Sequence, residues 1–174
     1  MMNVKLRKLT MAALMAALAF VGTFFVHIPV PGTQAAYFNV GDIIVYLSAV
    51  LPGGWYGIAA SAIGSVIADL ASGAAIYAPA TFIIKAVMTL AVWLFVSKKA
   101  SIGRFSIGSI IGGCIMVVGY FAYELALFGW AYAAAAIPFN LLQFACGVAL
   151  AIVLFLVVRK LPLDKISSDA GGEK

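Results

Sequence analysis

The fold is decided by residues 40–70, VGDIIVYLSAVLPGGWYGIAASAIGSVIADL, in which two apolar runs flank one breaker. The runs 40–51 and 55–70 are each short for a membrane span, since about 20 apolar residues are needed to cross the hydrocarbon layer. The positions of the Lys and Arg residues further along the chain favour two short spans over one long one. We therefore expect Pro52-Gly53-Gly54 to turn the chain back on itself.

Composition points to a lipid environment. Of the 174 residues, 65% are hydrophobic and 10% are charged, whereas soluble domains are about 45–50% apolar and about 25% charged. The net charge of +5 does not indicate nucleic-acid binding, because the bases form short runs beside apolar segments and not one basic face. We predict an all-α integral membrane protein with no room for a separate soluble domain.

Apolar runs between breakers predict a single domain over residues 1–174 that is a six-transmembrane-helix bundle. The predicted spans are residues 9–28, 40–51, 55–70, 78–96, 107–128 and 133–158.

Six spans place ten of the eleven Lys and Arg residues on one side of the membrane. The positive-inside rule assigns that side to the cytoplasm, so we expect both termini inside, in a bacterial plasma membrane. The alternative for residues 9–25 is a secretory signal peptide, because a basic start precedes an Ala-rich apolar run. That run is long for a signal peptide, and no clean small-x-small cleavage site directly follows it.

Charged groups inside the spans are the main functional signal, because each costs about 2.5–3.5 kcal/mol to insert. Asp42, Asp69, Lys85 and Glu124 all fall in the outer halves of their spans, while the inner halves are mostly apolar. This pattern predicts a cup that opens outward and binds a ligand without conducting ions. The structural alternatives are that Asp42 caps its helix and that Lys85 forms an ion pair with a carboxylate.

Aromatic and amide side chains lie beside these charges. Tyr37, Tyr77 and Tyr123 are positioned to stack on a flat heterocycle, although an interfacial aromatic belt is the alternative for residues of this type. His27 is either a ligand contact or an interfacial residue. The full predicted substrate-binding set is Asp42, Asp69, Lys85, Glu124, Tyr37, Tyr77, Tyr123, Asn39, Asn140, Gln143 and His27.

Small residues mark the first span. Ala12-x-x-x-Ala16 and Ala13-x-x-x-Ala17 repeat at one-turn spacing, which lets helices approach closely in lipid. They serve either internal packing or docking to another membrane subunit. Cys114 and Cys146 have no metal-ligand spacing, so we expect buried apolar thiols and no metal or cofactor.

Several of these elements together resemble a known family. They are the Ala-rich first span, Asn39-Val-Gly41-Asp42, Asp69-Leu-Ala-Ser-Gly73, Tyr77-Ala-Pro79 and Lys85. In this combination, over about residues 9–95, the chain resembles the substrate-binding S-components of energy-coupling factor (ECF) transporters. The last two spans match only in hydropathy.

The resemblance implies an outward-facing pocket roofed by residues 29–39. It also implies that residues 12–17 dock to a transmembrane coupling subunit driven by two cytoplasmic ATPases. The chain carries no phosphate-binding Gly-rich motif, so ATP hydrolysis belongs to those partners. The implied substrate is a vitamin or vitamin precursor of the riboflavin, hydroxymethylpyrimidine, pyridoxine or cobalamin kind. The nearby charges favour a small polar aromatic ring.

Three other classes of membrane protein fit the sequence less well. A stand-alone secondary transporter is expected to show repeats or broken helices at mid-membrane. A structural or assembly membrane protein does not explain four charges confined to one leaflet. An enzyme needs a nucleophile and base, and the only histidine, His27, has no serine partner at span depth.

Overall fold

A computed structural model describes residues 4–26, 28–31 and 36–160. Within these ranges the chain forms six α-helices and one short antiparallel strand pair. The helices are α1 Val4–Phe24, α2 Asp42–Ser48, α3 Gly54–Ala71, α4 Ala78–Val96, α5 Ile102–Phe128 and α6 Trp130–Val158. The strands are β1 Ile28–Pro29 and β2 Tyr37–Phe38. A π-helical turn, Ala49–Gly53, follows α2, and a 3-10 turn, Ala75–Tyr77, precedes α4.

The helices fit an integral membrane protein. Among the described residues, four helical segments are long and apolar enough to cross a membrane, namely Asp42–Ala71, Ala75–Val96, Ile102–Phe128 and Trp130–Val158. Helix α1 is not among them, and three bases, Lys5, Arg7 and Lys8, fall in its first five residues. The count of six spans and the side on which the termini lie stay predictions.

The segment Asp42–Ala71 is not one straight rod. Gly53 and Gly54 have φ angles of 63° and 50°, in the left-handed region that favours glycine. The carbonyl oxygen of Ser48 lies so close to Gly57 that a Cβ there would collide with it. Nine residues of continuous helix would separate these two positions by about 13 Å. The chain therefore reverses at the glycine pair, and α2 packs beside α3.

Helix α2 lies in the middle of the bundle. It contacts α1, α3, α4 and α6, and all of its residues except Ile44 are buried. Around it, successive contacts join α1 to α3, α3 to α4, α4 to α5 and α5 to α6. A seven-residue helix suffices here because protein surrounds it. Asp42, its first residue, is therefore held near the bundle axis.

Glycines bring the outer helices together. Gly64 of α3 approaches the backbone of Ala16 in α1, and Gly108 of α5 approaches Val92 in α4. Close backbone approach of this kind is how helices associate in lipid. Large apolar side chains on the outside of the bundle remain exposed to the surroundings. The expected burial of Cys114 is wrong, because this thiol lies on that outer surface, while Cys146 is partly buried.

Candidate functional site

The charged residues of the predicted outer halves converge at one end of the bundle. A cavity of about 30 Å³ opens there, where α1, α3 and α5 end and α4 and α6 begin; we call this the cavity end. Eight predicted residues line it: Tyr37, Asn39, Asp69, Tyr77, Lys85, Glu124, Asn140 and Gln143. Eight of the eleven predicted residues are thus brought together, and their contact with a substrate stays a prediction.

Lys85 and Asp42 form a buried ion pair, with 2% and 0% of the two residues exposed. The second carboxylate oxygen of Asp42 accepts a hydrogen bond from Nε2 of Gln143 at 2.8 Å. Gln143 Oε1 in turn accepts from the backbone N–H of Asn39 at 2.9 Å. The Lys85 ammonium also lies 5.4 Å from the ring centroid of Tyr120, within cation–π range. These contacts tie α2, α4, α5, α6 and the loop before α2 together.

Asp42 does not line the cavity and does not cap its helix. No side chain caps the N-terminus of α2, whose N-cap residue is Gly41. Gly41 N–H donates instead to Oδ1 of Asn39 at 2.9 Å. The structure thus realises the ion-pair alternative for Lys85, while its contact with a ligand remains a prediction.

Tyr37 connects the strand pair to α3. Its hydroxyl donates a hydrogen bond to Oδ1 of Asp69, whose residue is 2% exposed. Burial, reinforced by the nearby Asp69 carboxylate, raises the pKa of Tyr37 well above its usual range. The hydroxyl therefore stays protonated and donates to Asp69. This contact places Tyr37 on the cavity wall.

Glu124 lies among tyrosine side chains in the cavity wall. It is 1% exposed, and Tyr77 donates to its Oε1 at 3.0 Å. The hydroxyl of Tyr132 lies 3.2 Å from that of Tyr77. The Tyr77 ring packs against Tyr120 with centroids 6.1 Å apart. Glu124 is thus fixed through one carboxylate oxygen and flanked by flat side chains.

Three buried polar atoms of cavity-lining residues have no hydrogen-bond partner in the part of the chain that the structure describes. They are Ser65 Oγ, Glu124 Oε2 and Asn140 Nδ2. Leaving such an atom unsatisfied costs about 1–3 kcal/mol, and more for a charged group. A hydroxyl, a carboxylate acceptor and an amide donor together provide a bound ligand with both hydrogen-bond donors and acceptors.

Sequence reasoning missed five lining residues, namely Thr23, Ala36, Ser65, Thr81 and Tyr120. Three of them lie four residues before a predicted site residue of the same helix: Ser65 before Asp69, Thr81 before Lys85 and Tyr120 before Glu124. Residues at this spacing share one helix face. A polar side chain one turn from an intramembrane charge was therefore the available signal.

One further predicted residue lies elsewhere, and another falls outside the described residues. Tyr123 does not line the cavity; its hydroxyl donates to the carbonyl of Ile76 and so holds the 3-10 turn before α4. His27, like residues 32–35 of the predicted roof, lies outside the described residues. Within those residues, no group of three His, Cys, Asp or Glu side chains is placed to hold a metal ion.

The alanines predicted for docking divide between two faces of α1. Ala12 is 8% exposed and faces the bundle, and the backbone of Ala16 is in close contact with Gly64. Ala13 and Ala17 are exposed on the outside. Ala12 and Ala16 therefore take part in internal packing. Only Ala13 and Ala17 are available for the predicted docking, which stays a prediction.

Known proteins match the chain over most of its length. A protein from Pyrococcus woesei, described as an uncharacterized protein in a gap 3′ region, is 34% identical over 140 residues, which are 80% of this chain and 93% of that protein. The family described as "ECF-type riboflavin transporter, S component" matches residues 3–160. This match confirms the resemblance found in residues 9–95 and extends it over the last two helices. The chain belongs to the family of ECF-type riboflavin transporter S components.

Proposed function

We propose that the cavity captures one small, flat, vitamin-like molecule from outside the cell. The observation that carries this proposal is the set of unsatisfied buried atoms, Ser65 Oγ, Glu124 Oε2 and Asn140 Nδ2, beside the rings of Tyr77 and Tyr120. Small-molecule sites combine aromatic walls with a few placed polar groups. The family is one of transporter components and not of enzymes, which supports substrate binding as the role of this chain.

The polar atoms favour a particular ligand chemistry. Glu124 Oε2 can accept a hydrogen bond and Asn140 Nδ2 can donate one. A heterocycle with an N–H group next to a carbonyl or ring nitrogen meets both needs with one edge. Riboflavin, named in the family description, has such an edge, as does an aminopyrimidine such as hydroxymethylpyrimidine. Asp69 and Glu124 disfavour a strongly anionic ligand by charge repulsion.

Delivery of the substrate is proposed to follow the ECF arrangement. The exposed alanines Ala13 and Ala17 allow close approach of a transmembrane coupling subunit to α1. Two cytoplasmic ATPases then supply the energy, since this sequence has no phosphate-binding Gly-rich motif. The chain crosses the cell membrane six times, with both termini in the cytoplasm and the cavity end outside.

Thermal stability of the purified protein tests the binding step. Riboflavin, hydroxymethylpyrimidine, pyridoxine and cobalamin are each added, and we expect one planar heterocycle to raise the melting midpoint. A ligand at a hundred times its Kd stabilises the folded state by about 2.7 kcal/mol. Glu124→Gln should weaken binding of that ligand by about tenfold or more, since a hydrogen bond to a charged group contributes about 1.5–3 kcal/mol. Asn140→Ala should weaken it by a smaller factor, since a hydrogen bond between neutral groups contributes about 0.5–1.5 kcal/mol.

The matched control is Ser109→Ala. Ser109 Oγ is also buried without a hydrogen-bond partner among the described residues, but Ser109 does not line the cavity. This variant should bind like the unchanged protein. Equal losses in Ser109→Ala and Glu124→Gln, or no stabilisation by any heterocycle, would contradict the proposed site.

A further inference from the structure

We propose that the opposite end of the bundle binds the headgroup of an anionic phospholipid. A second cavity, of about 780 Å³, opens there and is far larger than the one at the cavity end. It lies between the start of α1, the turn after α2 and the ends of α4 and α6; we call it the basic cleft. This inference does not depend on the substrate proposed above.

Positive charge concentrates around the basic cleft. Five bases from three separate parts of the chain line it, namely Arg7, Lys8, Lys98, Lys99 and Arg159. None of its described lining residues is acidic. In the described part of the chain, the carboxylates are Asp42, Asp69 and Glu124, which lie at or just below the cavity end. Like charges gathered in one concave site repel each other and attract an anion.

The floor and walls of the cleft are apolar. Phe155 is 1% exposed and Val96 is 6% exposed, and Trp93 and Met11 also line the cleft. A soluble anion would use the bases but leave the half-buried Met11 and Trp93 uncovered. An amphiphile with an anionic head and hydrocarbon chains uses both kinds of surface.

The position of the cleft favours a phospholipid. It opens where apolar, membrane-length helices end, which is the depth of lipid headgroups. Trp55 lines its rim with 77% of its surface exposed, and tryptophan is enriched at that interface. Basic pockets between membrane helices are known to accept anionic headgroups. A bound lipid would bridge the ends of α1, α4 and α6.

Native mass spectrometry of the purified full chain tests this inference. The protein is titrated with phosphatidylglycerol and, separately, with phosphatidylcholine that has the same acyl chains. We expect one phosphatidylglycerol to be retained preferentially. The triple variant Lys98→Gln, Lys99→Gln, Arg159→Gln should weaken its retention by about a hundredfold, since each base near an anionic headgroup is worth about fivefold, or about 1 kcal/mol.

The matched control replaces Arg104 and Lys160 by Gln. Both are exposed bases that do not line the cleft, so phosphatidylglycerol should bind this variant as it binds the unchanged protein. Equal retention of the two lipids would overturn the proposal, and so would an equal loss in the control. Displacement of the lipid by millimolar inorganic phosphate would instead identify a soluble-anion site and also overturn it.

Discussion

Lys85 is the one basic residue among the described residues that line the cavity, and it forms an ion pair with Asp42, which does not line it. Taking one member of a buried pair away leaves an unpaired charge, which typically costs about 3–5 kcal/mol. The sequence alone favoured a substrate role for Lys85, because three carboxylates exceed what one lysine can neutralise. The ion pair adds a structural role that can be measured separately.

We predict that Lys85→Met lowers the melting midpoint of the protein in the absence of added ligand. The double variant Lys85→Met, Asp42→Asn should recover part of the loss, because the introduced amide carries no charge and its oxygen still accepts from Gln143. The measurement is thermal unfolding in detergent, with Lys160→Met as the control at an exposed position outside both cavities. A single variant as stable as the control would show that the pair adds nothing to stability.

At the scale of single residues, the site residues were predicted from the free-energy cost of placing charged and amide side chains in a membrane. Charged and amide residues at membrane depth are expensive, and eight of the predicted residues line one cavity. Ser65, Thr81 and Thr23 were missed because hydroxyl side chains are cheap in a helix, where they can bond to the backbone carbonyl one turn away. Asp42 was misplaced because nothing in a single sequence reveals that α2 lies on the bundle axis.

Helix α1 is the element that presents two different faces. Met15 and Ala19 are 1% and 0% exposed against the bundle, whereas Leu14 and Leu18 are 52% and 40% exposed. Ala13 and Ala17 lie among the exposed residues. A face that combines small residues with leucine suits close helix packing against a second membrane protein.

We predict that Ala13→Leu and Ala17→Leu reduce co-purification with the coupling subunit and reduce uptake, because a larger side chain holds the partner helix away. Ligand-induced stabilisation should be unchanged, since both positions lie away from the cavity lining. Ala59→Leu, at an exposed position of α3, is the control. Full complex formation by both α1 variants would remove the docking role.

A breaker in the sequence predicted the reversal between α2 and α3, but the sequence did not predict where α2 lies in the bundle. Pro52-Gly53-Gly54 indicated the reversal between α2 and α3 because paired glycines adopt left-handed conformations readily. The central position of α2 was not predictable, since a short run that is apolar on nearly every side fits both a lipid-facing and a fully buried helix.

The whole molecule is polarised between its two ends. Carboxylates and tyrosines gather at the cavity end, and bases gather around the basic cleft. The positive-inside rule assigns the basic end to the cytoplasm. The sequence predicted this polarity from the order of charges, but it did not reveal that the bases surround a cleft, because they come from three distant segments.

Cysteine labelling in intact cells tests the orientation. In a background with Cys114 and Cys146 replaced by serine, we predict that Ala75→Cys reacts with an impermeant maleimide added outside and that Ala100→Cys does not. Both positions are exposed and lie at opposite ends of the bundle. Ala100→Cys should react after permeabilisation, which serves as its control. Outside labelling at Ala100 would reverse the proposed topology.

The small volume at the cavity end has a kinetic consequence. About 30 Å³ is room for roughly one water molecule, whereas ligand sites typically occupy about 300–1,000 Å³. Tyr37 and other lining side chains must therefore shift before a heterocycle can enter, and that shift has a rate of its own. In stopped-flow fluorescence, the observed association rate should level off at high ligand concentration. At such concentrations the side-chain rearrangement, and not the collision of protein with ligand, is the rate-limiting step. A rate that rises linearly without limit would mean that the site admits its ligand without rearrangement.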